Sequence, residues 1–426
     1  MTSGTSPLVA RALAAGDHAG VIAAVAPSAS TLDAEQRFAL GYAQQMIGAL
    51  DDAVSSYATV VTDRPDHASA WLNLANLYRD TGELDRALRL YERALELRPG
   101  HPSTRFNRGE CRFALDDWPG GWEDFEARLE LAQVMPTDLT FTQGGERVPM
   151  SELRWRGGPV RSLLVIAEQG LGDTMQGARW LRPLAEAGVQ LAVMEHSALI
   201  PLLRWTGVPF TAVPRGRPVT LNDVERWTPL GSVPGALGVD ATTAEPQSPY
   251  LFPKPARIAH FAALAGGPGL KIGICWRGQS GPNVDQSRFP PIEAVSTILD
   301  APGCTFYALQ PLKDSDAVLR DPLANADWVM DADGAFLDTA ALIGSLDLVI
   351  TVDTAIAHLA GALAAPTWLL LKHRGADARW LQGREDTPWY RSMRLRRQPS
   401  PGDWSGLAQQ VQADLLQLAS RETRRP

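Results

Sequence analysis

Apolar side chains in the first third of the chain recur three and four residues apart, the spacing of one buried helical face. In WLNLANLYRDTGELDRALRLYERALELRP (71–99), Trp71, Leu74, Ala75 and Tyr78 fall on one predicted helix. Ala87, Tyr91 and Ala94 fall on a second, and Pro99 closes the unit. Leu40, Gly41, Ala53, Tyr57 and Pro65 hold the matching places 34 residues earlier, and Gly109, Gly121 and Phe125 hold them 34 residues later. After about residue 131 this pattern decays into LAQVMPTDLTFTQGGERVPMSELRWRGGPV, rich in Pro, Gly and Thr, which reads as a connector. From 161 the chain alternates short β-rich runs with amphipathic helical ones. RSLLVIAEQ, VQLAVMEH and PFTAVP are predicted strands, with helices around 174–187 and 197–206. A Pro- and Gly-rich zone near 229–257 interrupts the alternation, which resumes with KIGICWRG, CTFYALQP, LDLVITV and PTWLLLK. Two successive βα arrays imply two doubly wound domains facing a cleft. GDWSGLAQQVQADLLQLAS predicts a capped C-terminal helix, followed by a loose RETRRP tail.

The 34-residue period resembles a tetratricopeptide repeat, in which small residues let paired helices approach and large ones fill the groove between them. The segment around 7–26 reads as an atypical first repeat. The expected organisation is a helical repeat domain over 1–131, a connector over 132–160, and two Rossmann-like domains over 161–265 and 266–426.

Composition narrows the function classes. A chain of 426 residues holds about three ordinary domains. A formal net charge of -8 argues against a protein built to grip nucleic acid by its phosphates. Cys111, Cys275 and Cys304 lie far apart, without the spacing of a metal site or disulfide framework. No basic patch followed by an apolar segment marks the N-terminus for export, and charged residues interrupt every apolar run before membrane-spanning length. A cytoplasmic protein without a membrane span is the expectation.

Two stretches carry candidate chemistry. IAEQGLGDTMQGARWL (166–181) runs from a strand through Gly170 and Gly172 into a helix. A dinucleotide fingerprint would need a third glycine where Met175 stands, and Asp173 would repel a pyrophosphate. Taken alone, the loop reads equally as a helix start capped by Asp173 or Thr174 and as a mount for a reactive carboxylate. LDLVITVDTAIAHLAGALAAPTWLLL (346–371) places a tight turn, Asp353-Thr354-Ala355, between a buried strand and a helix. The first helical turn leaves N–H groups free and bears partial positive charge, a seat for a diphosphate. Asp353 caps the turn or meets ligand hydroxyls, and His358 faces the same end.

Together these stretches resemble the bacterial heptosyltransferase-like family of the two-domain GT-B fold, and most of all its branch fused to tetratricopeptide repeats. EQGLGDT is similar to the family's glycine–aspartate motif, and TVDTAIAHLAGAL to its donor-phosphate motif. KIGICWRG…SRFPP and REDTPWYRSMRLRRQ match the opening of the second domain and the C-terminal stretch. The ordered motifs span roughly 160–418. By position, the resemblance implies that Asp173 is the general base, with Gly172 and Thr174 beside it on the donor side. It implies that Thr354, Ala355 and His358 contact the donor diphosphate, with Asp353 in the same turn, and that Arg288 neutralises the leaving group. The family inverts the anomeric centre with no bound metal and no other cofactor, the nucleotide sugar being the substrate. Two departures bear on the donor: Arg277 stands where relatives carry a small residue, and KHRG replaces the family's G-P-T, which brings Lys372 and His373 towards the nucleotide.

The expected protein is an inverting, metal-independent glycosyltransferase acting on a nucleotide-diphosphate or other nucleotide donor. Its repeats would recruit a protein acceptor, such as flagellin, with no nucleic acid or membrane partner. The alternative is a repeat-based protein-binding scaffold whose transferase half is inactive. Asp331-Ala332-Asp333 matches the short D-x-D of metal-dependent glycosyltransferases, but its place before Gly334 and a helix reads as a solvated turn with an N-cap. Trp118 and Trp122, in DWPGGWEDFE, read as the core of the junction between the last repeat and the transferase.

Overall fold

The computed structural model describes residues 7–25, 32–131, 139–216, 218–222, 224–244, 248–278 and 285–422. The start of the N-terminal segment and the end of the RETRRP tail lie outside them. Two compact units divide the chain, residues 1–132 and 133–426.

The first unit is a run of antiparallel helix pairs. The pairs are Pro7–Ala14 with His18–Val25, Ala34–Met46 with Leu50–Asp63, Ala68–Asp80 with Leu84–Leu97, and Pro102–Ala114 with Trp118–Phe125. Asp33 opens the second pair with a capping box: its carboxylate accepts from Gln36 N at 2.8 Å, and Gln36 Oε1 accepts from Asp33 N at 3.1 Å. Tyr57 and Tyr91, one repeat apart, are fully buried beside Ala53 and Ala87, as the period requires. Each phenol still finds a partner, Gln45 at 3.1 Å and Asn76 at 2.8 Å, so burial strands no hydroxyl. In the last pair Gly109 lets the helices touch, since a Cβ there would sit 3.0 Å from Asp124 Cβ. Trp118 and Trp122 pack within this unit around Phe113, the Trp122 and Phe113 rings 4.6 Å apart edge to face.

The second unit opens with a hairpin where a connector was expected. β1 (Leu139–Gln143) and β2 (Glu146–Val148) pair antiparallel through Gly144-Gly145, both at positive φ, as a two-residue hairpin loop demands. Leu139 and Phe141 alternate into a small core with Leu221 and Trp227, so the segment is part of the fold. The remaining strands of this half are β3 (Ser162–Ile166), β4 (Gln190–Glu195), β5 (Thr211–Pro214), β6 (Val219–Asn222) and β7 (Arg226–Pro229). β6 joins the hairpin parallel to β1, and the others form a parallel sheet in the order β5-β4-β3-β7.

A second parallel sheet follows, built from β8 (Leu270–Cys275), β9 (Cys304–Ala308), β10 (Leu348–Val352), β11 (Thr367–Leu371) and β12 (Met393–Arg397) in the order β12-β11-β10-β8-β9. β3 and β10 read as nearly continuous apolar runs, interrupted only by Ser162 and Thr351, because both faces are covered. The helix Trp404–Glu422 lays Leu407, Val411 and Leu415 into the core of the second sheet, and Asp403 caps its start through Gly406 N at 2.8 Å. Two facing parallel-sheet halves after a helical repeat region make this an α plus α/β chain of the GT-B kind. In each sheet the strand order reverses once, beside β3 in the first and between β8 and β10 in the second. Crevices open at the carboxyl ends of strands at such switch points. Among the described residues no helix is long and apolar enough to cross a membrane.

Candidate functional site

Both sequence motifs leave their sheets at these switch points and meet. The loop after β3 carries Gly170, Gly172 and Asp173 into the helix Leu171–Gly177. Asp173 Oδ2 accepts from Gly170 N at 3.1 Å, so the carboxylate does cap the loop. Its other oxygen accepts from Arg379 at 2.8 Å, and the side chain keeps 31% exposure. Gly172 serves close approach: a Cβ there would lie 2.9 Å from His358 Cδ2 and 3.2 Å from Ala355 Cα. Only a residue without a side chain lets this helix meet the helix Ala355–Ala362. Thr174, expected on the donor side, is instead turned inward. It is buried and donates to Glu195 Oε2 at 2.5 Å, on the side of the helix that meets the end of β4.

The second half supplies most of the remaining wall. Thr354 is the N-cap of the helix Ala355–Ala362 yet makes no side-chain cap bond, which leaves the first-turn N–H groups without that partner. Its hydroxyl lies 3.4 Å from Thr351 Oγ1. Arg288 reaches in from the loop before the helix Ile292–Leu299 and donates through Nη2 to the carbonyl of Asp353 at 2.5 Å. Its buried Nε has no hydrogen-bond partner among the described residues, an arrangement that an incoming acceptor atom would complete. Arg277 is less available than its charge promised. Both its terminal nitrogens bind the carboxylate of fully buried Asp316, whose pKa that pairing lowers against the opposing effect of burial. Lys372 is likewise paired, 2.5 Å from Asp285.

Asp173, Gly172, Arg277, Arg288, Asp353, Thr354, Ala355 and His358 all line one cavity of about 670 Å³. Lys372 lines an adjoining cavity of about 240 Å³ that shares Arg288, Asp353 and Asp377 with it. Thr174 lines neither. The volume is that of a small-molecule site.

Two wall residues, Asp377 and Arg379, escaped sequence reasoning. Arg379 donates to Asp173 Oδ1 at 2.8 Å, to Gln176 Oε1 at 2.9 Å and to Asp377 Oδ1 at 2.8 Å. Its Nη1 also lies 3.2 Å from His358 Nε2. Burial opposes the guanidinium charge, but Asp377, Asp173 and Asp353 outweigh it and hold the pKa well above its ordinary value. An arginine can only donate, so His358 Nε2 accepts and its proton sits on Nδ1, 3.0 Å from the Tyr390 hydroxyl. Burial, then the Arg379 charge, push the His358 pKa well below the usual range and keep the ring neutral. Trp380 stacks on the same ring, centroids 5.4 Å apart. Asp353 moves the other way: burial and the Asp377 charge push it up to about 6, with Arg379 and Arg288 opposing. The one hint in sequence was the motif REDTPWYR, whose Trp389 anchors Arg379 by donating to its carbonyl at 3.0 Å.

The D-x-D stretch is committed elsewhere. Asp331, at φ 61°, accepts from Asp338 N, Thr339 N and Thr339 Oγ1, capping the helix Leu337–Ile343 from a largely buried position that raises its pKa. Asp333 pairs with Arg257 at 2.8 Å.

Comparison with known proteins identifies the repeats of the first unit. Residues 38–102 and 72–133 match the tetratricopeptide repeat family, so the helix pairs from residue 38 onward in the first unit are such repeats. Protein FlbA of Caulobacter vibrioides is 30% identical over 386 residues, 84% of this chain and 62% of FlbA. The chain therefore spans less than two thirds of that relative, and the similarity, longer than either unit, runs through both. A CTR9 homologue of Arabidopsis thaliana is 32% identical over 85 residues, 20% of this chain and 8% of that protein. Among solved structures, MamA is 23% identical with a TM-score of 0.27, covering 29% of this chain and 73% of its own. The E. coli ADP-heptose LPS heptosyltransferase II is 14% identical with a TM-score of 0.43, covering 62% of this chain and 99% of its own.

Proposed function

We propose that the chain is an inverting glycosyltransferase that uses a nucleotide-sugar donor, works without a bound metal, and modifies a protein held by the repeats. One observation carries this reading. The Asp173 loop and the Asp353–His358 turn, the two motifs that resemble the heptosyltransferase-like family, open into the same cavity from opposite sheets. In the proposed reaction an acceptor hydroxyl loses its proton to Asp173 as its oxygen bonds to the anomeric carbon. The bond from that carbon to the donor's phosphate oxygen breaks, and the nucleotide leaves with the electron pair. A single displacement from the opposite face inverts the centre. Charge on the departing phosphates falls to the first turn of the helix Ala355–Ala362 and to Arg288, donors aimed where negative charge grows.

The scaffold alternative draws on a specific contact: Asp173 Oδ1, the oxygen a base would use, is engaged by Arg379. One experiment separates the two. The chain is incubated with a panel of nucleotide sugars, with and without EDTA, and release of the nucleotide is scored. Release from one donor that survives EDTA supports the transferase. No release from any donor leaves the scaffold, and release that needs added Mg²⁺ or Mn²⁺ removes the metal-independent part. Asp173→Asn should then lower transfer by roughly 10²–10⁴-fold, the contribution of a general base, while nucleotide binding persists. Wild-type turnover by that variant would return Asp173 to a helix cap.

A further inference from the structure

Arg379 sits on the short turn Ala378–Trp380, 206 residues from the aspartate it holds. Its guanidinium crosses the cleft to the first half, at Asp173 Oδ1 and Gln176 Oε1, while Nε stays with Asp377 on its own half. With Gly170 N on Oδ2, Asp173 is thus gripped at both oxygens, and one of the grips belongs to the donor-side half. The turn itself is tightly determined. Asp377 accepts from Arg379 N at 3.0 Å, Trp389 Nε1 donates to Arg379 O, and buried Trp380 lies against His358. Leu381 follows at φ 49°, where a side chain rarely goes, and Arg397 donates to the carbonyls of Trp380 and Leu381. Backbone strain persists only where the surroundings impose it, and it gathers at working sites.

We propose that Arg379 is a positioning residue for Asp173: it aims the carboxylate into the cavity from the opposite half, so that the geometry of the base depends on the two halves being together. The proposal rests on Asp173 being the base. A lysine cannot replace this arginine, since one ammonium lacks the rigid fork that reaches Asp173, Gln176 and Asp377 at once.

Two measurements on the full chain test it. The first is hydrogen exchange of the wild type, Arg379→Lys and Arg379→Ala. Exchange over 171–177 should rise in both variants while β10 (348–352) stays protected. The second is transfer kinetics. For both variants kcat should fall about 100-fold, the cost of a misplaced reacting group, with KM for the donor unchanged. Millimolar guanidinium should restore part of the activity of Arg379→Ala and none of that of Asp173→Asn. Unchanged exchange over 171–177 overturns the proposal, as does a raised KM with kcat intact, which would make Arg379 a donor ligand. If Arg379→Ala loses protection throughout, Arg379→Lys decides by the same criteria. If the wild type accepts no nucleotide sugar, the transferase reading falls, and exchange at 171–177 still reports whether Arg379 holds Asp173.

Discussion

At the scale of single residues the cavity sets charges against their usual states. Asp353 holds its proton up to about 6 in the folded chain, against roughly 3.9 for an unfolded aspartate. Between those values the native state binds more protons than the unfolded one, so this residue's contribution to stability falls as pH rises through the window. His358, kept neutral by burial and Arg379, works in the opposite sense: its contribution is lost as pH drops below the unfolded histidine value. Asp353→Asn removes the first effect and leaves the second. Urea titrations should find the variant more stable than wild type by about 1–3 kcal/mol at pH 8 and nearly equal to it at pH 3.5. Equal or lower stability at pH 8 would mean that folding does not raise the pKa of the carboxyl. A stabilised variant that binds donor less well would mark Asp353 as a residue kept for function at a cost in stability.

At the scale of elements, the site depends on two helix starts brought together at Gly172. Gly172→Ala puts a methyl group 2.9 Å from the His358 ring and 3.2 Å from the Ala355 backbone, and backbone cannot yield as a flexible side chain can. The expected cost is about 1–3 kcal/mol, typical of an overfilled contact, read as a drop in the melting temperature of the second unit. On the proposed reading, transfer should suffer more than nucleotide binding, because the displaced helix carries Asp173 while the other keeps the turn proposed to meet the donor phosphates. A variant with unchanged stability and turnover would show that the two helices have room to part. The elements also explain which sequence signals were misleading. Gly144-Gly145 marks a hairpin turn plainly, yet the strands beside it are short and β6, which completes their sheet, lies some 70 residues on in a stretch where the sequence pattern predicts no strand.

At the scale of the whole molecule, the two compact units correspond to two proposed tasks. All the residues lining the cavity belong to the second unit, and the first carries only its repeat pattern. A chain beginning near residue 133 should bind the nucleotide and slowly hydrolyse the donor, yet fail to modify the protein acceptor. Solubility and a cooperative melt are the controls, since the cut can expose apolar surface. If the soluble truncation modifies the acceptor as fast as the full chain, recruitment by the repeats is wrong.

The sequence alone determined what is local. A helical repeat packs mostly on its neighbours, so Tyr57 and Tyr91 announce its core one period apart. A strand, a tight loop and a helix start are contiguous, so Gly170–Asp173 and Asp353–His358 could be read as motifs. Tertiary structure decided which side chains are free to act. Arg277 is neutralised by Asp316 and Lys372 by Asp285, Thr174 turns to Glu195, and Arg379 arrives beside Asp173 from far along the chain. None of these pairings leaves a periodicity. A charge's availability depends on what lies within a few ångströms of it, and only folding determines that.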